Sequence, residues 1–118
     1  MPVRIGDVIR VWDRGTHPRK FKRHICICPD RQLFLRINSR PIFPPHVIIR
    51  AAGSDFLDAD SYVELQQLVR HYAQEIAEAD VLGRLNGTHI RLLCIAVEAC
   101  DALSQELKEF IVERLRTI

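Results

Sequence analysis

Nowhere does the chain hold the run of about 18 to 20 apolar residues that a membrane-spanning helix needs, and its opening Met-Pro-Val-Arg does not have the make-up of a signal peptide. No membrane association is expected, and a cytoplasmic location is. Cysteine is sparse: four residues, at 26, 28, 94 and 100, with no Cys-x-x-Cys and no Cys/His pair at turn spacing. That disfavours a zinc site and a disulfide framework. The thiols read as buried structural groups, and no metal or cofactor is expected. Acidic residues are scarce in the first half. Between positions 4 and 50 there are nine arginines and two lysines against three aspartates, while twelve of the fifteen acidic residues follow Gly53. The net charge of +2 hides this division. A basic first half suggests an anion-binding surface there, the alternative being a solvated face that happens to be basic.

What is present is an ordinary globular composition, 47% hydrophobic and 27% charged, over 118 residues. That is one domain, residues 1–118, long enough to bury a core without staples. "IGDVIRVW" at 5–12 alternates as a half-buried strand entered through a turn at Gly6-Asp7. "FKRHICIC" and "LFLRIN" place Ile25 and Ile27, then Leu33, Leu35 and Ile37, on single faces around the turn residues "PDRQ", which makes 23–38 a hairpin. The prolines of "SRPIFPP" exclude a ladder, and "HVIIRA" is a fourth strand, which His46 starts. Short antiparallel strands with brief turns favour a small barrel over a parallel sheet. Across 61–80 the apolar spacing fits an amphipathic helix, while "SYVEL" suits a strand. Residues 88–118 hold no Gly or Pro, and Ser104 with Glu106 marks a helix start, so helices are expected at about 88–101 and 105–116.

One stretch stands out, "PRKFKRHICIC" at 18–28, where a cationic loop runs straight into a buried strand. Gly6-Asp7-Val8-Ile9 before a strand, a charged loop, "KRHICIC", a third strand ending "RINSRP", then "DADSYVELQQL" and "VLGRL" before a helix, resemble in order and spacing the MazF/PemK-like toxins of bacterial toxin–antitoxin systems. The resemblance covers roughly residues 4–100. It implies an α+β fold: a small antiparallel SH3-like β-barrel over about 4–70, with a helical part over about 73–118 packed on it. It also implies a strand at 61–69, leaving room for a short helix after Tyr72. In function it implies a toxin that cleaves single-stranded RNA without a metal, dimerises with itself and is neutralised by a cognate antitoxin protein.

Residue by residue, the family's catalytic Arg at the start of the second strand matches Arg23, with His24 in place of the family's proline. Its Thr or Ser at the end of the third strand matches Ser39, beside Asn38, and the glycines of its first loop are reduced to Gly15. Metal-free cleavage needs a base for the 2′-hydroxyl proton, a cation for the phosphorane and an acid for the leaving 5′-oxygen. Arg23 suits the second role by its fork of donors. Ser39 suits a phosphate oxygen, and His17 and His24 suit proton transfer near neutral pH.

Lys20, Lys22, Arg19 and Arg40 are candidate RNA contacts, together with Asn38 and with Trp12 as a stacking surface. Each has a plainer reading: Arg23 as a solvated rim residue, Ser39 as a turn residue, His24 as a packed histidine on the Cys26/Cys28 face, Trp12 as a cap on the core. Two other functions stay open beside the endoribonuclease. One is a barrel that kept the fold and lost the chemistry, binding RNA or protein. The other is an interaction protein working through its acidic helices.

Overall fold

A computed structural model describes residues 2–118. The chain runs through strands β1 (Asp7–Asp13), β2 (Lys20–Cys28), β3 (Leu33–Asn38), β4 (His46–Ile49), β5 (Ser61–Glu64) and β6 (Val69–Arg70), helix α1 (Ala73–Ala77), strand β7 (Asp80–Arg84), and helices α2 (Gly87–Glu98) and α3 (Gln105–Leu115). All seven strands form one antiparallel sheet in the order β4-β5-β3-β2-β1-β7, with β6 on β3. The α+β class is as expected. The pairing does not close the sheet into a barrel, because β4 and β7 lie at the two ends of the strand path.

Local chemistry accounts for most element ends. Gly6 takes a positive φ of 87° at the turn into β1, a conformation an L side chain resists. The hairpin turn closes with the Gln32 amide donating to the Pro29 carbonyl at 3.2 Å. The Ser104 hydroxyl accepts from the Leu107 amide at 3.2 Å and caps α3. Removing that cap, Ser104→Ala, should cost about 1 kcal/mol, seen as a lower urea midpoint.

The segment after β4 departs from expectation. A single strand over 61–69 is not what forms. The Leu65 amide donates to the Pro45 carbonyl at 3.0 Å, one step past the His46–Glu64 pair, and there the ladder ends; Leu65 sinks into the core, and exposed Gln66 and Gln67 carry the chain to the other end of β3, where β6 pairs. Nor is 73–118 helical throughout, since β7 returns to the sheet beside β1 between α1 and α2.

Alternation along the strands gives the sheet two unlike faces. One carries Val8, Ile25, Ile27, Leu35, Ile37, Ile49 and Val63, which pack with Leu93 and Val97 of α2 and Ile111 and Leu115 of α3 into the main core. The other carries a small cluster of Ile9, Val11, Cys26 and Phe34 under Ile76 of α1. Followed further along the same strands, this second face turns polar and presents Asp13, Lys22, His24, Arg36, Asn38 and Glu64.

All four cysteines are free and buried. Burial pushes the Cys26 thiol up to about 12 and raises that of Cys94, and burial shields all four from reagents. Iodoacetamide should leave all four unmodified in the native protein and label them only after denaturation; rapid native labelling would contradict their burial.

Candidate functional site

The polar side chains of the second face are wired into one chain of contacts. Arg36 donates from Nε to Asp13 Oδ2 at 2.6 Å and from Nη2 to Asp13 Oδ1 at 3.1 Å, and its Nη1 reaches Glu64 Oε2 at 3.3 Å. Asn38 donates from Nδ2 to Glu64 Oε1 at 3.2 Å and accepts from the Lys22 ammonium. At the other end His24 Nε2 lies 3.2 Å from Asp13 Oδ2, on an approach too bent for a directed hydrogen bond. Asp13, His24, Arg36, Asn38 and Glu64 are all buried. Sheet register brings them together: His24 faces Arg36 across β2 and β3, and Asn38 faces Tyr62, two residues before Glu64, across β3 and β5.

Burial sets the protonation of this chain, opposed at one point by hydrogen bonds. Burial would raise the Asp13 carboxyl, but contact with His24, the two bonds from Arg36 and the Gly15 amide at 2.8 Å hold it well below the usual carboxylate range. Burial lowers the His24 pKa against the pull of Asp13. It also lowers that of Lys22, with help from the charges of Lys20 and Arg36. His71, whose ring meets that of His24 edge-on at 4.6 Å, is lowered to about 4 by burial and then by His24.

Above this floor opens a cleft of about 350 Å³. The β1–β2 loop walls one side with Gly15, Thr16 and His17, and the β3–β4 loop walls another with Arg40, Ile42 and Phe43. Lys20, Lys22, Arg36, Asn38, Glu64, Gln66 and Gln67 complete it. Four cations, one carboxylate, three amides and an imidazole thus face one space, with the exposed apolar side chains of Ile42 and Phe43 at its rim.

Of the residues singled out from the sequence, this cleft collects His17, Lys20, Lys22, Asn38 and Arg40. His24 lies beneath the floor, sealed between Asp13, Phe34 and His71. Ser39 is exposed just past β3 and does not line the cleft. Arg19 is exposed on the loop outside it. Arg23 is turned to the opposite sheet face by the alternation of β2, where its Nη2 donates to the exposed Asp58 Oδ2 at 2.9 Å. Trp12 also faces that way, edge-on to Phe21 at 5.1 Å, with the Arg10 guanidinium over the Phe21 ring. So "KFKRH" is divided: Lys20, Lys22 and His24 on the cleft side, Phe21 and Arg23 on the other.

Arg36, Glu64 and Asp13 form the floor, and sequence reading passed over them. Their signal was polar residues at the parity of buried ones, Asp13 two after Val11 and Arg36 two after Phe34. Among the described residues no three His, Cys, Asp or Glu side chains are placed to hold a metal ion, and no helix is long and apolar enough to cross a membrane. No protein-family model matches the chain, and no curated protein matches its sequence.

Proposed function

We propose that the cleft binds single-stranded RNA and cuts it without a metal, and that the protein is the toxin of a toxin–antitoxin pair. The observation that carries this is the convergence of Lys20, Lys22, Arg36 and Arg40 on a space that also holds the Glu64 carboxylate and the His17 imidazole. The three cations not tied to carboxylates, Lys20, Lys22 and Arg40, over a phosphate, a carboxylate near the 2′-hydroxyl and an imidazole near the leaving oxygen are what phosphodiester transesterification requires.

In this reading Glu64 takes the 2′-hydroxyl proton as the 2′-oxygen attacks phosphorus. Lys22 and Arg40 stabilise the added charge on the phosphorane. His17 returns a proton to the departing 5′-oxygen, leaving a 2′,3′-cyclic phosphate and a 5′-hydroxyl. Phe43 supplies an apolar surface for a base. The β1-β2-β3 meander, continued by β5 and β4, is in keeping with an SH3-like barrel left open at its seam. A cognate antitoxin would act by covering the cleft, and a homodimer is the expected assembly.

A labelled single-stranded RNA pool in EDTA tests this. Cleavage should fall about 100-fold in Lys22→Ala, the scale seen when one donor to a transition-state oxyanion is removed, and stay within about threefold of wild type in Arg23→Ala. The reverse pattern would return the site to Arg23 and its face of the sheet.

One observation favours a second reading, an RNA-binding cleft without chemistry. Both Glu64 oxygens already accept hydrogen bonds and the residue is 1% exposed, so a base must first be released from Arg36 or Asn38. RNA retained in gel shifts by wild type but not by Lys22→Ala, with no cutting by either, would select that reading.

A further inference from the structure

A second cavity, of about 270 Å³, lies against the cleft and shares Gly15 and Arg36 with it. Asp13, Arg14, Val69, Arg70 and His71 complete its wall. Its electrostatics favour an anion. Arg70 is exposed and makes no ion pair among the described residues, whereas the one carboxylate in the wall, Asp13, is buried and held by Nε and Nη2 of Arg36. Arg14 is tied to Glu75 through Nε at 2.9 Å and lies over the Tyr72 ring, which fixes its position.

The second, independent sign is His71. The residue is 1% exposed, it lines this cavity, and among the described residues neither Nδ1 nor Nε2 has a hydrogen-bond partner. A buried imidazole left with an idle N–H is costly unless something outside the chain completes it. No protein group does so: Glu75 Oε1 stays at 3.8 Å from Nδ1, and the His24 and Phe34 rings meet His71 edge-on.

We propose that this cavity is a second phosphate subsite, in which Arg70 and His71 hold the phosphate next to the one in the cleft on the same RNA strand. The proposal rests on the reading of the cleft as a strand-binding site. Arg36 stands between the two cavities and is spoken for by carboxylates, so it spaces the phosphates rather than binding either. The groups facing His71 are Asp13 and Arg14 from the end of β1, His24 from β2, Arg36 from β3, Glu75 from α1 and Arg70 beside it in sequence. With a phosphodiester bound, its charge cancels the excess of Arg14, Arg36 and Arg70 over Asp13 and Glu75, which removes part of the repulsion that opposes a proton on His71.

The test is NMR of the histidine rings during titration with inorganic phosphate, then with 2′-O-methylated UpU and UpUpU, which carry one and two phosphates and cannot be cut by 2′-attack. Expected are a shift of the His71 ring with phosphate, an affinity at least fivefold weaker in Arg70→Ala and restored in Arg70→Lys, and a gain of about fivefold from UpU to UpUpU that Arg70→Ala removes. A His71 ring that does not move, or equal phosphate affinity in Arg70→Ala, would overturn the subsite. Phosphate binding with no gain from the second phosphodiester would overturn its assignment to the strand. Loss of cleavage in Lys22→Ala is read separately in the RNA assay, so failure of this subsite and failure of the cleft's chemistry are distinguishable.

Discussion

Replacing Arg36 with Met should destabilise the fold by about 3 to 5 kcal/mol, the range for removing one partner of a buried charge pair, seen as a large drop in the urea midpoint. The guanidinium bridges two buried carboxylates, Asp13 and Glu64. Without it both must find water, take up protons or separate, in a floor where the remaining donors to them are one Gly15 amide, one Asn38 amide and the bent contact from His24. A triple variant, Asp13→Asn, Arg36→Met and Glu64→Gln together, should recover much of the loss, because no uncompensated charge stays buried. If Arg36→Met alone left the midpoint unchanged, the network would not be holding the sheet. The same variant should lose RNA cutting even at temperatures where it stays folded, since Lys22 would keep its place while Glu64 would not.

Acidification should weaken the protein in two stages. His71 titrates at about 4 in the fold against an ordinary 6.5, because burial and the neighbouring His24 disfavour its charge. As pH falls below 6.5 the unfolded chain binds this proton first, so stability present at and above pH 6.5 is lost progressively down to about pH 4. For His71 that amounts to about 3 kcal/mol. His24 is lowered in the same direction and adds to the loss. Asp13 acts further down: its carboxyl is held low in the fold, so its contribution is complete at neutral pH and disappears as pH drops below the ordinary carboxylate value of 3.8. Chemical denaturation from pH 7.5 to 4 in phosphate-free buffer measures the first stage. The variant His71→Phe should make it shallower, the remaining slope belonging to His24. An unchanged slope in that variant would mean that His71 is not the group taking the proton.

Much of the fold was legible because the apolar spacing is unambiguous where one face of a strand is buried. Leu33, Leu35 and Ile37, and Ile25 with Ile27, fixed the hairpin. Ser104 and the absence of Gly and Pro after residue 87 fixed α3 to within a residue. The strand at Ser61 and the short helix after Tyr72 form as read, but the break between Leu65 and Val69 was not legible, because Val63 and Leu65 serve the main core while Val69 must reach the far end of β3, and no local propensity records that detour. Half of the site was legible as well. Lys20, Lys22, Asn38, Arg40 and His17 could be read as a cationic loop and its neighbours. What stayed hidden was which side of the sheet each residue faces. Arg23 looked equivalent to Lys22 on charge alone, and one step of strand pleat separates them. The Arg36–Glu64 contact joins residues 28 apart in sequence, and no single segment contains both halves of it.

Strand β7 has a bearing on how the chain may be divided. It covers the outer edge of β1, and Leu85 donates to the Gly6 carbonyl at 2.9 Å beyond it. A fragment ending at Ala79 would keep every residue of the cleft and of the phosphate subsite, but would strip Leu93, Val97, Ile111 and Leu115 from the main core and leave the backbone groups of β1 unpaired along a strand rich in Val and Ile. Two such fragments would each offer the other an identical open edge. A five-residue strand that contributes nothing to the cleft thus keeps the edge of β1 from pairing with a second copy.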